Sequence, residues 1–493
     1  MIFGYSSLFL LSSMLATTLA RKRATSNDSC QALSKTFRTE TYMSSNSSYN
    51  AHSEENWSQV AWKKPTCIIT PATTTDLQSI VRMLMELNQK FAIRSGGHST
   101  APEAANIDDG VLVDMSLIKE VTYNAAKNTV VVASGNRWGD VYKVLDPFNI
   151  TAVGARIMDV GVGGSILGSG LSYLTDQYGL ACDNVINFEV VLANGSLVTA
   201  NSNENPELFW ALKGGTNNFG IVTRFTINTF PQGYVWGGIK GYTNAQLPAL
   251  LEALAIYQAD PKKDPKANLM LQSAVTNDTI GTLLNIVYLD PVIAPKAFAP
   301  FYDIPTAWDT TKIQTLSQFM VGAVLPPIPR WDFHTTSFRP NKEIHEKIHK
   351  IITNPEELAN LKKITAGTIV LGFQPISAAV AGHGTKRGGN ALGLNPVAQT
   401  WMVADTAWWH KEDTKTATDF AANMLKKVDV ATKASNLYEP YLFMNDAARE
   451  QPVIASYGAK NVARMKIVQS MYDPFCAFQK LVVGGFKLGS YFS

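Results

Sequence analysis

Charge is scarce in this sequence and nearly balanced. Asp, Glu, Lys and Arg make up 17% of 493 residues, and the formal net charge is +3. The one compact basic cluster is Arg21-Lys22-Arg23. Without residues 1–23 the net charge is zero, which argues against a nucleic-acid partner. Cysteine is rarer still. The four residues, Cys30, Cys67, Cys182 and Cys476, form no C-x-x-C pair, so a zinc ribbon or dithiol redox motif is excluded. No G-x-S-x-G elbow, internal repeat or low-complexity tract occurs.

The first twenty residues, MIFGYSSLFLLSSMLATTLA, have no charged side chain. They hold a short apolar core and end in small residues, which predicts a secretory signal peptide over 1–20. Because the basic cluster follows the apolar run, a reversed membrane anchor or a Lys22-Arg23 processing site are the alternatives. Six N-x-S/T sequons fit secretion. Asn27, Asn46, Asn56, Asn149 and Asn277 are expected glycosylation sites, whereas Asn194 lies inside a turn signal and is the weakest. In an oxidising compartment Cys30 and Cys67 can staple the N-terminal segment to the first domain. Cys182, in GLACDNV, reads as a buried free thiol.

Hydrophobic residues make up 46% of the chain, enough for a large core, and the length favours two domains. Residues 24–60 are polar and read as a loosely held arm. CIIT then reads as a strand. Thr73-x-x-Asp76 starts a helix whose apolar positions are Leu77, Ile80, Val81, Leu84 and Leu87. FAIRS is the next strand and runs into Gly96-Gly97-His98. Further on come a helix opening near Trp138, a glycine-dense loop over 160–174 and a hairpin turning at Asn194-Gly195. Asn205-Pro206 starts a further helix, and a strand follows it. The rhythm changes near Pro231. Longer strands (LNIVYL, GTIVLGFQPI, TWMVADTAWW) and amphipathic helices predict a second α+β domain over 233–459.

Two loops carry candidate chemistry. In IRSGGHS, Arg94 offers a cation, Gly96 and Gly97 permit an anion-binding nest, and His98 places an imidazole at its edge. The second loop, Gly161-Val162-Gly163-Gly164, is not a Rossmann fingerprint, because the nearest acid on a following strand, Glu189, lies too far on. Two glycine-rich loops suggest one long cofactor held at two places. His345-Glu346-Lys347-Ile348-His349 is a formal H-E-x-x-H. Ile352 and Pro355 stand where the extended form needs Gly and His, so we read it as an amphipathic helix and expect no metal.

KPTCIITP, IRSGGHS, LVDMSLIKEV, ASGNRWGDVY, DVGVGGSILGSGLSYLTDQYGLACDNV, PELFWALKGGTNNFGIVT and YGAKNVARMKIVQSMYDP occur here in order. With them the chain resembles the berberine-bridge-enzyme-like FAD-linked oxidoreductases of the vanillyl-alcohol-oxidase-type (PCMH) superfamily, particularly the secreted fungal ones. The resemblance implies an α+β fold. A two-subdomain FAD-binding domain would span 61–232. A substrate domain with an antiparallel sheet would span 233–459, and 460–493 would return to the FAD domain. It further implies that His98 bonds covalently to the 8α-methyl group of FAD. Arg94, Ser95, Gly96, Gly97 and Ser99 would hold the pyrophosphate. Gly161, Gly163, Gly164 and Ser165 would lie near the flavin and ribityl chain, Ile221 and Val222 near the adenine, and Asn461 on the returning tail. Many relatives carry a second covalent cysteine where Ile157 stands, so a single link is expected. Gln374, Asn445 and Tyr441 (or Tyr438) are the implied catalytic candidates. The implied activity is a secreted oxidase. It would pass a hydride from a small organic substrate, a secondary metabolite or alcohol, to FAD and then electrons to O2, giving H2O2. A carbohydrate oxidase and a flavin-binding protein with little turnover are the alternatives. No membrane partner is expected.

Overall fold

The computed structural model describes residues 25–276, 280–322 and 326–489. The apolar N-terminal run, the basic cluster and Asn277 lie outside the described residues. Among the described residues, no helix is long and apolar enough to cross a membrane.

Three sheets organise the described residues. The first has the order β1 (Thr41–Met43), β2 (Cys67–Ile69), β4 (Val111–Asp114), β3 (Phe91–Arg94). Strands β2, β4 and β3 are parallel, as the β-α-β reading requires. The helix Thr74–Glu86 joins β2 to β3. Thr73 and Asp76 form its reciprocal cap, and Leu77, Ile80, Val81 and Leu84 are its buried stripe. Such a cap stabilises a helix start by about 1 kcal/mol.

The second sheet is antiparallel, with the order β5 (Val121–Asn124), β6 (Thr129–Ala133), β10 (Ile221–Pro231), β8 (Val185–Val191), β9 (Leu197–Asn201). β7 (Ile150–Ala152) pairs with the end of β10. β8 and β9 form the expected hairpin, with Gly195 at φ +77 in its turn.

The third sheet takes every strand from β11 onward: β11 (Tyr234–Thr243), β12 (Ala267–Thr276), β13 (Ile280–Tyr288), β14 (Trp308–Asp309), β15 (Lys312–Thr315), β16 (Arg330–Phe338), β17 (Thr368–Ile376), β18 (Gln399–Trp408) and β19 (Tyr438–Glu439). Sheet membership thus changes between Pro231 and Tyr234, at the point where the sequence changes rhythm.

Period-two alternation gives this sheet two different faces. Leu269 and Leu271, Leu371 and Phe373, and Met402 and Ala404 pack into one core with the helices Leu247–Ala259, Lys342–Ile352 and Thr414–Ala434. Residues of opposite parity, Met270, Gln272, Gln374, Val403 and Asp405, line a cavity on the other side. On the helix Lys342–Ile352, Ile344, Ile348 and Ile352 are fully buried, each worth about 1.5–3 kcal/mol over exposure. His345 of the H-E-x-x-H pattern is buried there as well. Its Nδ1–H donates to the Leu251 carbonyl, and its ring meets Phe338 and Phe373 edge-on.

Three expectations need correction. The arm over 24–60 is an integral part of the first domain. Its helix Ser26–Thr36 is capped by Thr25 and Asp28, its strand β1 pairs with β2, and Cys30 is disulfide-bonded to Cys67. Its polar residues are used for caps and buried contacts, which composition does not reveal. The glycine-dense loop contains a short helix, Val162–Leu167, starting at Gly161. Cys182 is a buried free thiol. Asn27, Asn46, Asn149 and Asn194 are exposed. Asn56, in contrast, is only 3% exposed, and its amide lies between Arg94 and the Ala105 carbonyl, so the folded chain cannot present it to a glycosyltransferase.

The disulfide closes a 37-residue separation, which chain entropy converts to about 4 kcal/mol. The C30A/C67A double variant is therefore expected to unfold at a clearly lower temperature in calorimetry. An unchanged midpoint would show that β1–β2 pairing alone holds the arm.

Candidate active site

Strand β3 ends at Arg94 and delivers Ser95–Ser99 to one end of the first sheet. The Gly161 loop lies directly against it. A Cβ on Gly96 would sit 2.3 Å from Gly161 Cα, and one on Gly161 would sit 2.4 Å from Gly96 N. Ser95 Oγ joins the loops further by donating to the Ser134 carbonyl and accepting from Gly163 N–H. Together the loops line one side of an elongated cavity of about 340 Å3. Ala104, Asn217, Ile221, Val222 and Phe486 line it as well, and Met270, Phe333, Gln374, Val403 and Asp405 of the third sheet face into it.

Ser95, Gly96, Gly97, His98, Ser99, Gly161, Gly163, Gly164, Ser165, Ile221 and Val222 all reach this cavity. Among the described residues, the backbone N–H groups of Gly96, Gly97, His98 and Ser99 have no acceptor in the chain. The buried Ser134 hydroxyl on the wall has no partner either. Gly164 faces open space: a Cβ added there would meet nothing within 4 Å. A long anionic ligand would satisfy these donors and occupy this space, so the residues present fit FAD. Ser165 contributes shape only, since its Oγ already binds Trp138 Nε1 and the backbone of Gly161 and Val162. Ile157, the position at which the resemblance led us to look for a second tether, faces the cavity and has no thiol to offer.

His98 stacks on Trp57, with ring centroids 4.4 Å apart and planes within 7°. Trp57 in turn leans on Trp331 and Phe333. Burial, with the Arg137 charge second, lowers the His98 pKa to about 4. The imidazole is therefore neutral at working pH and keeps a free ring-nitrogen lone pair.

Three predicted site residues do not reach the cavity. Arg94 turns behind its loop. It is 1% exposed and donates to Asp114 Oδ2 at 2.6 Å, Glu55 Oε2 at 3.1 Å and Asn56 Oδ1 at 3.2 Å. The parallel register places Arg94 opposite Asp114, so this ion pair ties β3 to β4 and leaves no charge for a phosphate. Tyr441 is buried, with its hydroxyl 3.3 Å from Ser169 Oγ, and burial pushes its pKa far up, so it cannot act as a base. Asn461 donates to the Ala391 carbonyl, away from the cavity. Tyr438, the substitute for Tyr441, lies in β19 under Lys433.

Gln374 and Asn445 do reach the cavity, but in fixed roles. Asn445 accepts from Gly170 N–H at 3.1 Å and donates to the Gly164 carbonyl at 3.2 Å, clamping the second loop. Gln374 Oε1 accepts from Arg156, and its Nε2 donates to Asp446 Oδ2 at 2.8 Å. Sequence reasoning missed Trp57, Arg156, Asp405 and Asp446. The Asp405 backbone pairs within the sheet, but its carboxyl group has no hydrogen-bond partner among the described residues. Burial, reinforced by Asp446 and opposed by Arg156, raises its pKa well above the carboxylate range. Burial also raises Asp446, against the pull of Arg156 and Gln374. Alternation in TWMVADTAWW was the available signal, since it puts Asp405 on the face opposite Met402 and Ala404.

Gly164 separates cofactor fit from fold. G164A meets no protein atom, and alanine in a helix is favoured over glycine by about 0.5–1 kcal/mol. The variant is expected to keep or raise its melting temperature while losing bound flavin, read as the ratio of visible to protein absorbance. Full flavin content in G164A would place the ligand elsewhere.

Residues 65–201 match the family model described as an FAD binding domain. The chain is 37% identical over 432 residues to a bifunctional solanapyrone synthase of Alternaria solani, covering 87% of this chain and 83% of that protein. It is 36% identical over 466 residues to an FAD-dependent monooxygenase of Arthrobotrys oligospora, covering 93% and 89%. Among solved structures, a wild-type berberine-bridge-enzyme-like protein of Physcomitrella patens superposes with a TM-score of 0.77 at 17% identity, covering 94% of this chain and all of that one. The 6-hydroxy-D-nicotine oxidase of Arthrobacter nicotinovorans does so with a TM-score of 0.75 at 20% identity, covering 90% and 96%. Fold, cavity and relatives agree: this chain is an FAD-linked oxidoreductase of the family of its fungal FAD-dependent monooxygenase relatives, with the fold of the berberine-bridge-enzyme-like proteins.

Proposed function

We propose that this protein is a secreted oxidase that removes a hydride from a small organic substrate, an alcohol or secondary metabolite, and passes the electrons to O2. The observation that carries the reading is one cavity with two poles. A glycine cradle with free N–H donors and a neutral imidazole occupies one side, and an unpartnered carboxyl group, Asp405, faces it from the third sheet. Bound FAD supplies the hydride acceptor and the route of the two electrons to O2, which leaves as H2O2.

The chain's own residues do the rest. His98 is the covalent attachment point, supported by its neutral, Trp57-stacked imidazole beside the loop. Ile157 leaves this as the single tether. Asp405, once ionised, accepts the substrate hydroxyl proton as the neighbouring C–H bond gives up its hydride. Gln374 and Asp446 hold one another in place beside it. Met270, Phe333 and Val403 form apolar walls that exclude water and favour a largely apolar substrate over an oligosaccharide. Secretion is supported by the Cys30–Cys67 disulfide, the exposed sequons and the apolar N-terminal run.

Asp405 gives the pH test. The base form is needed and its pKa is raised, so kcat/KM should fall as pH drops through that raised pKa, above the ordinary carboxylate range. D405N should lose roughly 10^2–10^4 in anaerobic flavin reduction and the acid limb with it. An unchanged acid limb in D405N would assign the base elsewhere.

A further inference from the structure

Arg156 is the single guanidinium or ammonium group on the described cavity wall. It sits between β7 and the helix Val162–Leu167 and reaches across to the third sheet. Its partners there are few. One N–H donates to Gln374 Oε1, and another faces the Met270 sulfur, a weak acceptor, at 3.6 Å. The Tyr173 ring lies 5.9 Å from Cζ. Neither nearby carboxyl group closes the set. Asp446 Oδ2 is taken by Gln374 Nε2, and no bond links Arg156 to Asp405. A guanidinium carries five donors, and among the described residues only two of these have an acceptor on a residue lining the cavity. In an apolar enclosure such donors gain strongly from an oxygen acceptor.

Building on the oxidoreductase reading above, we propose that Arg156 recognises the substrate by donating to a carbonyl or carboxylate oxygen, which sets the rest of the molecule beside Asp405. The substrate class is then an apolar, ring-sized compound bearing an oxo or carboxyl group. The competing chemistry is an amine, drawn by Asp405 and Asp446. It is disfavoured because Gln374 already occupies Asp446 and the Arg156 charge already stands beside both carboxyl groups, where it repels a second cation.

Three probes with one ring and different head groups decide between them: benzoate, acetophenone and benzylamine. Each is titrated into the full-length, flavin-bearing protein, following both the flavin absorbance shift and tryptophan fluorescence from the wall residue Trp331. Benzoate or acetophenone should bind more tightly than benzylamine, and which of them leads tells carboxylate from neutral carbonyl. R156Q should weaken the leading probe by roughly 10- to 100-fold. R156K keeps the charge but loses the planar fork, and should weaken it by about threefold or more; it decides the matter if R156Q does not fold. Tightest binding of benzylamine, no binding of any probe, or full affinity in the Arg156 variants would overturn the proposal. Protein that carries flavin yet fails these tests sinks this inference alone. Protein without flavin sinks the functional reading above, while the tryptophan signal still reports on Arg156.

Discussion

The site depends on one backbone contact. Gly96 and Gly161 lie so close that a single Cβ on either would collide with the other's main chain. That approach joins the end of a parallel strand to a loop of the antiparallel second sheet, and it forms the cradle side of the cavity. Two supports keep it in place from behind. The Arg94–Asp114 ion pair locks β3 to β4, and Ser95 bonds to both Ser134 and Gly163. Removing one partner of a buried pair of this kind typically costs about 3–5 kcal/mol, because the other charge is left alone. The arginine of the loop therefore shapes the cradle without touching its contents.

Facing the cradle is a sheet whose alternation separates structure from chemistry. Odd and even residues of β12, β17 and β18 divide cleanly between the helix-backed core and the cavity wall. The core parity supplies rigidity. The cavity parity is free to carry Gln374 and Asp405 among Met270 and Val403. Asp446 and Asn445 arrive from a separate segment that follows β19, and Arg156 comes from the opposite side. The reacting pole is thus assembled from five distant stretches of chain.

Much of the fold was legible because it rests on local signals: the Thr73–Asp76 cap, the Asn194-Gly195 turn, the period-two strands and the rhythm change near Pro231. The glycine cradle and His98 were legible for the same reason, since both lie in short contiguous motifs. The arm was misjudged because polar composition does not distinguish a loose segment from one pinned by a disulfide and by buried caps. Arg94 and Tyr441 were misjudged because sequence does not tell which way a side chain points from its backbone. Trp57 and Arg156 were missed because their roles exist only where distant elements meet, whereas Asp405 carried a signal in the alternation of β18.

The most direct test of the central claim is acid precipitation of the purified protein, with flavin absorbance read in the washed pellet beside H98A. Yellow retained in the wild-type pellet and lost in that of H98A is the predicted result. Flavin released from the wild-type protein by acid, or retained equally by H98A, would contradict the account of His98 as the tether within the Gly96–Gly161 cradle.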